Sequence, residues 1–401
     1  MKKNLRVLDM ARRSPVRLAQ SGFSLIELMV ASTVGLLIMV AILTLYTNTS
    51  RTNAELAKTS ALIESGRLGI QLLQREIGHA GFWDGYVPEF DDLTFKGAPA
   101  FPDAVPDPCR PYASWPGTET PPLNSDKNLL GIAVQVHDSV PSGCASLLAD
   151  WKNGTDILVV RHAKTCVAGA TGCEAVVDGK LYLQVSRARG GSCATAIREE
   201  GAFALNTGTA YTLHKRDCSL VTEKRRYVQS IYYVRDYSIS AGDGIPTLVR
   251  SEFDLDDGAV KPMAPVALIE GVEGFRVDLG IDRISDAGHD IITNADTTKL
   301  WKSAVTWANA KKLTSPINKG DGVPDEYVHC SGVCAVEQLA NVATVKVSLL
   351  VRGQTTTPGY QDAKSYRLGS QIIEAANDGF KRHAFSMDVR LTNISGRRET
   401  P

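Results

Sequence analysis

One carboxylate stands where carboxylates are costly. Glu27 lies inside the apolar run from Phe23 to Tyr46, FSLIELMVASTVGLLIMVAILTLY, and no charge follows it between Leu28 and Ser50. A charged side chain at the centre of a bilayer costs about 2.5–3.5 kcal/mol on insertion scales, less near the end of a span. An intramembrane carboxylate with that cost implies a partner for its charge. The structural alternative is a glutamate tolerated at the level of the headgroups. The obvious small-residue cleavage site, Ser21-Gly22, sits before the apolar run, whereas a secretory signal has a shorter apolar core and is cut on its far side.

Eight cysteines form a second group: Cys109, Cys144, Cys166, Cys173, Cys193, Cys218, Cys330 and Cys334. An even number outside the apolar run fits disulfides made in an oxidising compartment. Neighbour pairing (109–144, 166–173, 193–218, 330–334) is the expectation, although eight cysteines admit about 105 pairings. Zinc is the rival reading, but no CxxC occurs and His329 beside Cys330 lacks the usual paired spacing. The run Asn318-Lys319-Gly320-Asp321-Gly322-Val323-Pro324-Asp325-Glu326 offers oxygen ligands for calcium, with Asp321 and Asp325 the candidates. It departs from the EF-hand pattern, having no glutamate at the twelfth position, and an acidic turn is the better reading. The histidines, His79, His137, His162, His214, His289, His329 and His383, are scattered and form no HExxH pair. Gly-x-Ser-x-Gly, Walker A and GxGxxG signatures are absent. No catalytic residue, cofactor or metal is expected, and the protein reads as a non-enzyme.

The elements around Glu27 follow from length and charge. Phe23–Tyr46 makes about 36 Å of helix, enough to cross a bilayer core. Ahead of it stand Lys2, Lys3, Arg6, Arg12, Arg13 and Arg17 against only Asp9, a net charge of +5 that leaves the remainder at −5. A basic head before an apolar run keeps the N-terminus cytoplasmic, so the body is exported. The mildly acidic body argues against nucleic acid as a partner. Beyond the membrane, Leu62, Gly66, Ile70, Leu73 and Ile77 recur at helical spacing until Gly78 and Gly81. One helix over 23–77 would be on the order of 80 Å long. Residues 83–150 are rich in Pro, Gly, Asp and Ser, with few regular elements beyond Ile132–Val136. Strand patterns then dominate: 156–161, 181–185, 226–234, 247–253, 266–269, 274–281, 342–351 and 384–391. Tyr232-Tyr233 reads as strand packing, and the sequon Asn393-Ile394-Ser395 carries no weight. A long helix before many strands gives an α+β fold.

Gly22-Phe23-Ser24-Leu25-Ile26-Glu27-Leu28-Met29-Val30 resembles the class III prepilin signal of type IV pilins and type II secretion pseudopilins. The resemblance implies that a membrane aspartyl peptidase cuts between Gly22 and Phe23 and methylates the new amine of Phe23. Glu27 is then the fifth mature residue, and its implied role is to neutralise the terminal amine of a neighbouring subunit during assembly. Two buried charges that are expensive apart become tolerable together. The lollipop-like architecture of pilins follows: leader 1–22, helix 23–77 and a β-rich body over 78–401.

The body resembles the PilW-type minor pilins. The segments that carry this are Arg75-Glu76-Ile77, Ala80-Gly81-Phe82, Asp156-Ile157-Leu158 with Arg161, Ile231-Tyr232-Tyr233-Val234 and Gly271-Val272-Glu273-Gly274-Phe275. Gly280-Ile281-Asp282, Val347 to Arg352 and Lys381-Arg382-His383-Ala384-Phe385 continue the series. Stretches 85–150 and 284–320 have no counterpart and read as insertions. The resemblance implies a minor pilin that joins other minor pilins, the major pilin and a tip adhesin in a complex priming type IV pilus assembly. Such a protein waits as a single-pass inner-membrane protein before it reaches the pilus tip, and it supports twitching and adhesion. The rivals are a type II secretion pseudopilin and a membrane-anchored binding protein that never polymerises.

Overall fold

The computed structural model describes residues 22–115, 125–188, 202–208 and 211–399. The chain divides into two compact units, one ending at Ala57 and one beginning at Lys58. Helix α1 (Leu25–Gly78) contributes to both.

In the first unit the side chains from Phe23 to Ser50 are exposed. Among the described residues α1 is the one helix long and apolar enough to cross a membrane. Its few hydroxyls turn inward. Thr33 Oγ1 donates to the Met29 and Val30 carbonyls, Ser32 Oγ to Met29, Thr44 Oγ1 to Val40 and Thr47 Oγ1 to Thr44. Such back-bonding satisfies a polar group in an environment without water.

The second unit is built on antiparallel sheets. The larger comprises β1 (Val134–His137), β2 (Ile157–Ala163), β3 (Tyr182–Val185), β4 (Phe203–Asn206), β5 (Lys224–Arg235), β6 (Thr247–Asp256), β7 (Ala259–Pro262) and β8 (Val266–Glu270). Its order is β1-β2-β5-β3-β4, with β6 on β5 and both β7 and β8 on β6. Next come β9 (Val272–Ile281), the ribbon β10 (Trp307–Asn309) with β11 (Thr314–Pro316), β12 (Glu326–Val328) and β13 (Val342–Arg352). The ribbon β14 (Tyr366–Leu368) with β15 (Gln371–Ile373) and strand β16 (Arg382–Arg390) complete the set. The second sheet has the order β12-β9-β13-β16. Short helices are α2 (Ser125–Gly131), α3 (Val336–Leu339) and α4 (Thr392–Arg398).

The body half of α1 buries Leu62, Gly66, Gly69, Leu73 and Ile77, with Gly69 at the contact and Ile70 only half-buried. Phe275, Val277 and Leu279 of β9 pair with Leu349, Val347 and Val345 of β13 and share one core with α1. A Cβ at Gly66 would come within 2.0 Å of the Phe385 ring, and one at Gly69 within 3.1 Å of Leu349. The helix reaches the sheet this closely because glycine has no side chain.

The two stretches read as insertions, 85–150 and 284–320, have a structural role. Strand β2 is buried along its whole length, so both faces of the larger sheet need cover. One face, with Leu158, Val160, Tyr232 and Leu248, joins the main core. The other, with Ile157, Val159, Ile231, Tyr233 and Val249, packs against Cys109, Cys144 and Leu148 from the first insertion. The two insertions also meet, where Phe90 and Phe101 pack edge-on against Trp301.

Candidate assembly site

Glu27 occupies the first turn of α1, where a carboxylate complements the helix dipole. The Ser24 backbone N–H donates to Glu27 Oε2 at 2.9 Å, and the Ile26 N–H donates to Ser24 Oγ at 3.2 Å. Ser24-x-x-Glu27 therefore works as a capping box, satisfying donors that a helix start leaves open. Gly22 has nothing within 4 Å of where a Cβ would stand, and Phe23 is 89% exposed. Gly22 and Phe23 thus form an open chain segment directly ahead of an apolar helix whose first turn carries Glu27.

Cys109–Cys144, Cys166–Cys173 and Cys330–Cys334 are disulfides. Cys218 is also disulfide-bonded, and Cys193 lies outside the described residues. Among the described residues one group of possible metal ligands converges, Asp107 with Cys109 and Cys144, and the disulfide consumes both sulfurs. The acidic run is a tied turn. Asp321 Oδ1 accepts from the Val323 N–H, and Asp325 Oδ2 accepts from the Arg283 and Ile284 N–H groups, each at 2.7 Å. Within the run, Lys319 is buried and points its ammonium at the Phe90, Trp301 and Ser303 carbonyls, which ties both insertions together. Burial lowers it to about 7, opposed by the charge of Asp91.

Several residues that hold the body together were not singled out for chemistry by sequence reasoning. Asp156 is fully buried and accepts from Arg276 Nη1 at 2.6 Å and from the Val277 N–H at 2.7 Å, with His329 Nε2 at 3.1 Å. The hydrogen bond to Asp156 raises His329 above its ordinary value. Arg161 interrupts the apolar run of β2 and is itself buried. It donates to Gln229, Gln135 and the Ile132 carbonyl, while those glutamines hold the Pro108 and Pro106 carbonyls of the first insertion. Its neighbour His137 is pushed down to about 4, by burial first and then by the charge of Arg161. Arg398 of α4 bridges Asp91 at 2.7 Å and Asp282 at 3.0 Å. Asn393, the sequon residue, donates its amide to the Gly78, His79 and Ala80 carbonyls at the end of α1. A charged residue inside an apolar run was the available signal for Arg161; Asn393 gave none.

Residues 231–393 match the family model of type IV pilus-assembly protein W, and residues 17–43 match the prokaryotic N-terminal methylation motif. No curated protein matches the chain. Among solved structures, a type IV-like pilin from Thermus thermophilus is matched over 83% of this chain and 98% of its own, at 12% identity and a TM-score of 0.29. A methylation motif leading an exposed apolar helix, with a β-rich body behind it, defines a type IV pilin-like protein. Over the matched residues, from Ile231 through β16, the body is similar to the PilW type. The segments at 75–82 and 156–161 lie before that match. The motif and the helix point to membrane anchoring with a periplasmic body, and the motif implies processing by a prepilin peptidase and association with other pilins.

Proposed function

We propose that this chain is a non-catalytic minor pilin that joins the complex priming type IV pilus assembly and ends near the filament tip. The observation that carries the proposal is Glu27. It lies within a methylation motif, in a helix segment whose side chains are exposed, and has its own Ser24 N–H as its hydrogen-bond partner. In this reading the peptidase removes residues 1–22, Phe23 becomes the methylated N-terminus, and Glu27 receives a neighbour's amine. Segment 23–77 enters the filament, and the body over 78–401 makes contacts with other minor pilins, the major pilin and a tip adhesin. A body of this size repeated along a shaft would crowd its neighbours, which favours the tip.

Intact mass and peptide sequencing of the membrane-extracted protein test the processing step. Methylated Phe23 is expected, and an intact Met1 or a cut beyond Tyr46 removes the basis of the proposal. Deleting the gene is expected to abolish piliation and twitching; loss of protein secretion instead would identify a pseudopilin. Immunogold labelling evenly along sheared pili would exclude the tip position.

A further inference from the structure

The body contains a cleft of about 310 Å³, at the lower end of the range for small-molecule sites. The turn Lys152–Thr155, the start of β9 and the ribbon β14–β15 form its walls. The ribbon sits close over β9 because position 274 is glycine, where a Cβ would collide with Leu368 and Leu350. Ser370 Oγ, donating to Asp278 at 3.0 Å, holds the turn of the ribbon down.

Two guanidinium groups line this cleft, and they differ. Arg382 is saturated by Glu273, Asp362 and Asp378. Arg276 is 7% exposed and uses Nη1 alone, on Asp156, while its Nε has no partner. A guanidinium carries five N–H donors, and buried donors are nearly always satisfied. Asp156 takes Arg276 Nη1, the Val277 N–H and His329, and does not reach Arg276 Nε. Lys152, the remaining cation, is paired with Asp236 at 3.2 Å. Arg276 is therefore the lining guanidinium with donors to spare: Nε is enclosed without a partner, and Nη2 makes no hydrogen bond among the described residues. Beside them are the apolar side chains of Leu350, Ile372 and Ile373, while Glu273 and Glu374 stand on the same walls and oppose a polyanion.

We propose that this cleft binds a single carboxylate attached to a small, partly apolar body, with the carboxylate received by Arg276. The planar guanidinium matches a carboxylate in geometry as well as charge. The volume suits one amino-acid residue or one sugar acid, so the carboxylate comes either from the end of a peptide or from a free acid.

The test uses the full chain in detergent, titrated by calorimetry with N-acetyl-leucine, N-acetyl-leucinamide, galacturonate and galactose. Saturable binding of at least one acid is expected, at least tenfold tighter than its neutral counterpart. N-acetyl-leucine alone would identify a peptide end, and galacturonate alone a sugar acid. Asn153→Trp, which narrows the cleft and leaves the Arg276–Asp156 pair intact, is expected to weaken binding tenfold or more. Arg276→Lys is expected to do the same with an unchanged unfolding midpoint, since the lysine keeps the charge opposite Asp156 and loses the fork. Binding by neither acid, equal binding of neutral analogues, or full binding by the Asn153→Trp protein would overturn the proposal and assign the donors to water.

Discussion

Residues 22–57 and the unit from Lys58 onward treat buried charge in opposite ways. In the body the fully buried carboxylates Asp156 and Asp282 each have several partners of their own chain. Asp156 holds an arginine, a backbone N–H and a histidine, and Asp282 holds Arg398 with the Asp321 and Gly322 N–H groups. In the anchor, Glu27 holds one backbone N–H, and the apolar side chains around it are exposed. The body carries its complement within its own sequence. In the proposed assembly, the anchor takes its complement from elsewhere, from lipid and from other subunits.

The largest test of this contrast is Glu27→Gln. Glutamine keeps an acceptor for the Ser24 N–H and loses the charge, so it separates capping from assembly. Entry into sheared filaments is expected to fall at least tenfold while the thermal unfolding of the body stays unchanged; normal entry would reduce Glu27 to a helix cap. Next is Arg398→Met, which leaves Asp282 its two backbone N–H groups without a counter-charge and leaves Asp91 the 3.5 Å contact with Arg397. A buried pair broken from one side costs about 3–5 kcal/mol. Urea unfolding should show that loss with N-terminal processing intact, and a loss below about 1 kcal/mol would contradict the contrast.

Replacing Cys109 and Cys144 together by alanine removes the staple over the second face of the larger sheet. The expected cost is roughly 2–4 kcal/mol in urea, because the cross-link restrains the unfolded chain. The smallest effect is in pH. His329 is raised in the folded protein by Asp156, so its contribution is complete below the unfolded value and is lost as pH rises through the folded one. The unfolding temperature of the parent protein, measured against His329→Asn, should converge on that of the variant through that window. A gap that widens with pH would reverse the sign and exclude the pair.

Much of the framework was legible because long strands announce themselves. β5, β9 and β13 are ten to twelve residues long and buried along most of their length, so apolar and β-branched residues recur often enough to register. β7, β10, β14 and β15 are three or four residues long with half-exposed patterns, too short for any periodicity to register. Residues 83–150 read as largely irregular, which was fair to their backbone and silent about their packing. Lys319 and Phe90 meet across a separation of 229 residues, a distance over which local pattern carries no information. At the assembly site the motif itself was legible, and the capping of Ser24 by Glu27 could have been read from the same spacing.

The clasp at the end of α1 has a mechanical consequence. The last carbonyls of that helix are held by Asn393 and the Gly81 carbonyl by Arg397, both from α4, more than 300 positions along the chain. Besides the packing of its buried face, a pull along α1 therefore reaches the body through the covalent link into Phe82 and, in parallel, the hydrogen bonds from α4. α4 is in turn anchored by Arg398 on Asp91 and Asp282. The strands between those positions are spared from carrying tension in series, and the helix is expected to slip from its sheet only after α4 has let go.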